Sequence, residues 1–303
     1  MSTSNHVILH DRGLLKVSGD DALDFLQGLV SNDVSKAESE RALYSAMLTP
    51  QGKYLYDFFI IHMNGELVID CEAGRLDELK RKLNMYKLRS KVQLMDLSQD
   101  FIVAALIGDN VAQALQLDNK EGAAKSFLGG VAFIDPRIAH IGGRSVIPRE
   151  NAEKNLALAG FSAGNPEEYE TLRLSLGLPD GSRDMIVDKA ILLENGFQEL
   201  NGIDWDKGCY MGQELTARTH YRGLVRKRLM PVQIEGPLPA PGTPIMLGEQ
   251  TVGEMRSGNT ELGLALIRLE QFRAVSESGE GFSAEGATLR PVKPEWAEFK
   301  FEA

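Results

Sequence analysis

After Arg228 the chain changes texture. Pro231, Pro237, Pro239, Pro241 and Pro244 crowd into one short stretch. Proline has no N–H to give to a ladder and fixes φ, so these residues punctuate the stretch and a long helix cannot run through it. Short strands joined by turns remain possible, and Ile245–Leu247, Thr251–Met255, Leu262–Ile267 and Ala287–Pro291 supply them. Strands this short close into a small antiparallel barrel or sandwich. We therefore place a boundary at 226–236. Residues 229–303 are expected to form a C-terminal β-barrel, and residues 1–228 a separate region.

Upstream, helical and strand periods alternate in an α+β pattern. Val7–Leu9 and Leu14–Val17 read as strands around the turn Asp11-Arg12-Gly13, followed by a helix from Ala22 to Val30. Ala42–Leu48 and Tyr54–Met63 read as strands joined at Thr49-Pro50-Gln51-Gly52. Asn64-Gly65 is a strong hairpin signal leading into Leu67–Asp70. A helix over Arg75–Leu88 and a strand at Val92–Leu97 complete one pass. A second begins at the strand Phe101–Ile107, with helices at Val111–Leu117, Ala152–Leu158 and Glu167–Leu176 and strands at Val131–Ile134 and Arg144–Ile147. Two similar α+β halves are expected, roughly 1–100 and 101–228, followed by the barrel.

Composition excludes several classes. Hydrophobic residues at 43% and charged residues at 25% describe a soluble globular chain. Residues 1–6 show no basic and apolar leader, and no run of about 18 apolar residues could span a membrane. Two cysteines, Cys71 and Cys209, in 303 residues point to a reducing compartment rather than a disulfide framework. A cytoplasmic protein is expected. The net charge of -10 argues against direct nucleic-acid binding, though not against a local basic pocket.

Chemistry concentrates in Lys207-Gly208-Cys209-Tyr210-Met211-Gly212-Gln213-Glu214. From Lys207 to Arg228 there are six Lys or Arg, including Arg218, Arg222 and Arg226, against the one acid Glu214. Cationic surroundings and a helix starting just downstream favour thiolate over thiol, making Cys209 a candidate nucleophile, redox group or metal ligand. The competing reading is a structural cysteine in a glycine-flanked turn. Cys71, in a strand, reads as packing. No CxxC or HxxxH pair is present, two cysteines cannot complete a four-thiolate iron–sulfur site, and His220 reads as part of a solvated basic face. Lys80, Arg81, Lys82, Lys87, Arg89 and Lys91 form a second basic cluster, read first as a solvated helix face and second as an anion site. Asp57, in an aromatic-rich strand, is either an acid/base group with a raised pKa or an outward-facing acid. No Walker A loop, GxGxxG fingerprint or GxSxG elbow occurs.

The octapeptide resembles the signature of the YgfZ/IBA57-type folate-binding family, related to the glycine-cleavage T-protein, an aminomethyltransferase. Val17–Gly28 with Asn32-Asp33-Val34, Pro50–Asp57, Tyr86–Val92, Arg173–Pro179 and Ala217–Gly223 extend the resemblance over most of residues 7–230. It implies a T-protein-like fold around a tetrahydrofolate pocket. It also implies an accessory role in assembly or repair of 4Fe–4S enzymes, indirectly supporting tRNA modification, with iron–sulfur assembly proteins and 4Fe–4S client enzymes as partners. The alternative is a folate-dependent aminomethyl or one-carbon transferase. On this reading Cys209 and Asp57 are the reactive residues, and Tyr169, Lys207, Tyr210, Gln213, Glu214, Arg218 and Arg228 bind the cofactor. No resident metal is expected. Two departures count against full transferase chemistry: only the second of the paired aspartates is kept, in Tyr56-Asp57, and Ser175 stands where a pterin-binding glutamate occurs. Arg12 replaces an aromatic found in some members.

Overall fold

The structure, a computed structural model, describes residues 4–223 and 225–298; the outer ends of the two expected regions, 1–3 and 299–303, and position 224 lie outside the described residues. The chain divides into two compact units, the first made of Met1–Leu48, Leu55–Tyr169 and Leu200–Gln213, the second of Thr49–Tyr54, Glu170–Glu199 and Glu214–Ala303.

In chain order the first unit carries β1 (Asn5–Ile8), β2 (Arg12–Ser18), α1 (Ala22–Gln27), β3 (Leu43–Leu48), β4 (Tyr54–Met63), β5 (Glu66–Glu72), α2 (Leu76–Lys87), β6 (Gln93–Asp96) and β7 (Phe101–Ile107). It continues with α3 (Val111–Leu115), β8 (Ala124–Phe127), β9 (Gly130–Ile134), β10 (Gly143–Pro148), α4 (Ala152–Leu158), β11 (Ser162–Ala163) and the start of α5 (Pro166–Ser175). Two sheets result. One has the order β3-β4-β5-β2-β6, the other β11-β1-β7-β10-β9-β8.

The local causes are those the sequence announces. Asn64 and Gly65 adopt φ of 54° and 84°, the left-handed pair a tight hairpin needs, and pair Met63 with Glu66. Leu76, Leu79 and Leu83 bury one stripe of α2. β3 is buried along its whole length and β4 everywhere but His62, as continuous apolar runs require. One expectation changes. β1 and β2 flank a turn but lie in different sheets: β1 pairs with β7 and β11, while β2 is hydrogen-bonded on one side to β5 and on the other to β6. With both edges of β2 occupied, β1 has no place beside it. The division near residue 100 is therefore crossed by the N-terminal strand.

The second unit contains α6 (Gly181–Asp184), most of α7 (Gln213–Tyr221), α8 (Leu269–Ser278) and the strands β12 (Lys227–Glu235), β13 (Pro244–Leu247), β14 (Gln250–Gly258), β15 (Leu262–Arg268), β16 (Phe282–Ala284) and β17 (Ala287–Pro291). The strands close as an antiparallel barrel in the order β12-β15-β14-β13-β16-β17. Met230, Val232, Ile245, Val252, Ile267 and Leu289 fill it. Pro237, Pro239 and Pro241 fall between β12 and β13, where no ladder needs their N–H. The helix α8 was not anticipated; Phe272 and Val275, three residues apart, seat it on the barrel core.

Candidate functional site

The signature is built into the first unit by a zipper of polar contacts with the segment that follows α1. Ser31 Oγ donates to Gly202 O at 2.6 Å, and Asp204 N–H donates to Ser31 O at 3.1 Å. The Asn32 amide donates to Tyr44 O at 2.8 Å and to Asn201 O at 2.7 Å. Lys36 pairs with Asp204, whose carboxylate also accepts the backbone N–H of Asp206 and Lys207. Met211 N–H closes the far end on Gly28 O at 3.0 Å. Sequence reading singled out none of Ser31, Lys36 or Asp204. Their signal was present, since short polar side chains beside a glycine-rich loop commonly satisfy loop backbone.

Lys207 is the centre of this arrangement. Its ammonium donates to Gln27 O at 3.0 Å, Val30 O at 2.6 Å and Asn32 O at 2.7 Å, and lies 5.1 Å from the Tyr210 ring centre. Three donors meet three carbonyls, so the charge is spent inside the protein. Burial pushes this amine down to about 8, against the opposing pull of Asp33 and Asp204. Lys207 thus fastens the loop, a different task from the cofactor contact expected of it.

Cys209 is exposed. It lies four residues before the start of α7, in the loop rather than in the first helical turn. Tyr210 beside it is buried, and its N–H donates to Gln213 Oε1 at 3.2 Å while Gln213 N–H returns to Tyr210 O at 3.3 Å. Glu214 and Arg218 are exposed on α7. Arg228 is buried, paired with Glu199 and hydrogen-bonded to Leu193 O. Its guanidinium is committed to internal partners, which the sequence could not reveal. His220 is half-buried and meets Gln198 Oε1 at 2.7 Å, correcting its reading as part of a solvated face. Cys71 is buried, and burial pushes its thiol up to about 12.

Asp57 is buried, and accepts the Tyr44 hydroxyl at 2.8 Å. It is therefore not the outward-facing acid that the sequence also allowed. Beside it lies a charge network of which the sequence reading singles out only Arg12 and Tyr169. Arg137 donates to both oxygens of Asp135, at 3.0 and 2.8 Å. Arg144 reaches Asp70 at 3.2 Å and the Tyr169 hydroxyl at 2.9 Å, and Arg12 reaches Asp70 at 2.7 Å. The guanidinium carbons of Arg12, Arg137 and Arg144 stand 5.8, 5.1 and 4.1 Å from the centre of the Phe59 ring, within cation–π range. Arg137 also stands 5.6 Å from the Tyr44 ring. Burial alone would raise the Asp135 carboxyl, but Arg137 and then Arg144 hold it below the usual carboxylate range. Ser175, by contrast, is exposed and donates to Leu172 O at 2.8 Å.

A cavity of about 330 Å³ opens against the residues that precede the signature, lined by Asn32, Lys36, Tyr44, Asn201, Trp205 and neighbours, with Arg41 and Lys120 exposed among its walls. Its size falls in the range of small-molecule sites, and its wall mixes aromatic rings with cations. None of the seven expected cofactor residues lines it. Tyr44 does, joining the cavity to Asp57.

Comparison with known proteins is consistent with this architecture. Residues 3–142 match the model of the GCVT N-terminal domain, and residues 226–299 that of the CAF17 C-terminal beta-barrel domain. The glycine cleavage system aminomethyltransferase T of Bartonella henselae shares the fold, with a TM-score of 0.73 at 16% identity over 98% of this chain and 87% of that one. The mitochondrial iron–sulfur cluster assembly factor IBA57 of Mus musculus is 33% identical over 88% of this chain and 78% of its own length. The Homo sapiens protein is 32% identical over 95% and 84%. These relatives are named as mitochondrial, which overturns the expectation of a cytoplasmic protein drawn from the leaderless first residues, the lack of a membrane span and the cysteine content. A T-protein-like fold with a closed barrel, and sequence kinship over most of its length, make this chain a member of the IBA57 family of iron–sulfur cluster assembly factors.

Proposed function

We propose that the protein is an accessory factor for assembly or repair of 4Fe–4S enzymes, acting through Cys209 and binding tetrahydrofolate. The observation that carries this reading is an exposed thiol on a loop fastened at both ends, by Lys207 and Asp204 before it and by Met211 after it. A thiolate is the usual protein ligand of iron–sulfur clusters, and a lone one must act together with ligands from a partner. Iron–sulfur assembly proteins and 4Fe–4S client enzymes are the partners this implies, and support of tRNA modification would follow indirectly through such clients.

The chemistry of the cavity fits a folate. The Tyr44 and Trp205 rings suit a flat heterocycle, and Lys36, Arg41 and Lys120 suit its carboxylates. A bound tetrahydrofolate would supply a carrier for one-carbon units. The buried Tyr44–Asp57 pair is the feature that favours the second reading, a folate-dependent aminomethyl or one-carbon transferase, because a held carboxylate can accept or donate a proton. The exposed, back-bonded Ser175 offers no matching carboxylate.

A chromosomal Cys209→Ser substitution tests the leading reading. Activities of 4Fe–4S enzymes are expected to fall under oxidative stress to the level of a deletion strain; wild-type activities would remove Cys209 from the function. Calorimetric titration with tetrahydrofolate tests the ligand separately, and silence up to millimolar concentration would exclude it. Release of ammonia from an aminomethyl-lipoyl donor would favour the transferase.

A further inference from the structure

Lys87, the last residue of α2, forms with Leu88, Arg89 and Ser90 a β-turn closed by Ser90 N–H on Lys87 O at 2.8 Å. Leu88 takes the first corner with φ 44° and ψ −104°. That is the corner of a II′ turn, where glycine fits freely and a residue with a Cβ is strained. Packing gives nothing in return, because Leu88 is 89% exposed. Met85, one helical turn earlier, is 74% exposed. The turn is also held from relaxing. Lys91 N–H donates to Asp21 Oδ2 at 2.7 Å, and the backbone of Lys91 lies so close to Gly19 that a Cβ there would come within 2.1 Å of its carbonyl oxygen.

A strained, anchored and solvent-facing leucine costs the fold stability that a glycine would restore. Such outliers persist where something other than folding selects them. Its setting says what that is. Arg81, Arg89 and Lys91 are exposed around it, in a segment 80–91 with six basic residues and no acid, on a chain of net charge -10.

We propose that Leu88 is the apolar anchor of a docking surface for a protein partner that offers an apolar socket rimmed by carboxylates. Arg81 and Arg89 supply the complementary charge and steer the encounter, while Lys91 is paired with Asp20 at 3.4 Å. One leucine and one methionine are too small a patch to hold a bilayer, and single-stranded RNA would call for exposed stacking aromatics, whereas the exposed tips here are aliphatic and Tyr86 is half-buried. In a two-fold symmetric contact with a second copy, the same basic segment would face itself and repel.

A photoreactive benzophenone side chain at position 85 tests the surface in cells, with the full chain otherwise unchanged. The expected result is one adduct with an acidic protein, which in purified form binds the wild type in a salt-sensitive manner. Leu88→Gly should weaken that binding by about tenfold or more, as loss of a central anchor does, while raising the melting temperature. Arg89→Glu should weaken it and flatten its salt dependence. Absence of an adduct, an adduct at twice the chain mass, a lipid or RNA adduct, or unchanged affinity of Leu88→Gly would each overturn the proposal.

Discussion

The Lys207 ammonium lies 2.6 Å from the Val30 carbonyl oxygen, with the Asn32 and Gln27 carbonyls at 2.7 and 3.0 Å completing its shell. A cation that ends a loop in this way is worth more as a fastener than as a surface charge. Removing it leaves three carbonyls without their donor, and an unsatisfied buried group costs about 1–3 kcal/mol. Lys207→Met should therefore lower stability by about 3 kcal/mol in denaturant titration. Lys207→Arg should not rescue it, because a flat guanidinium fork cannot meet three carbonyls converging on one point.

The same lysine sets a pH dependence. Burial brings its amine down to about 8, whereas in the unfolded chain it titrates near 10.4. Between these values the unfolded state binds more protons than the native state, so stability rises with pH across that window. Melting curves from about pH 8 to pH 10 should thus show a more positive slope for the wild type than for Lys207→Met. Parallel slopes would mean that the amine does not titrate in the fold.

The two thiols should separate cleanly. Cys209 is exposed, whereas Cys71 is buried in β5 with its thiol pushed up to about 12. Alkylation of native protein at neutral pH followed by mass mapping is expected to label Cys209 alone, and Cys71 only after denaturation. Labelling of Cys71 at a comparable rate would show that β5 opens.

Much of this fold was legible in the chain, and the failures have physical causes. Proline crowding located the barrel, Asn64-Gly65 the hairpin, and the periods of 3.6 and 2 most helices and strands. Those are local signals. The placement of β1 in the second sheet is not local, since it depends on both edges of β2 being taken by β5 and β6. Cys209 stood out through its glycines and lysine. The partners that hold its loop are separated from it by more than 170 positions, as Lys207 is from Gln27, Val30 and Asn32, and no spacing rule reaches that far. Arg228 illustrates the opposite error. In sequence it belongs to a basic run, and only the fold shows it buried against Glu199.

The Arg137–Asp135 pair carries the last prediction. Both side chains are almost fully buried, and Arg144 stands 3.5 Å from the same carboxylate. Asp135→Asn removes the carboxylate that pairs with Arg137 and stands beside Arg144, and breaking a buried pair from one side costs about 3–5 kcal/mol. The arginines hold the Asp135 carboxyl below its unfolded value near 3.9, so its contribution is complete above about pH 4 and is lost as pH falls through that point towards the lower native value. Wild-type stability should thus fall more steeply with acid than that of Asp135→Asn, the two curves converging at low pH. Because Arg137 also stands 5.6 Å from the Tyr44 ring, the same substitution should disturb the Tyr44–Asp57 hydrogen bond. Weakened tetrahydrofolate binding by folded Asp135→Asn at neutral pH would tie this network to the cavity; unchanged binding would confine its role to stability.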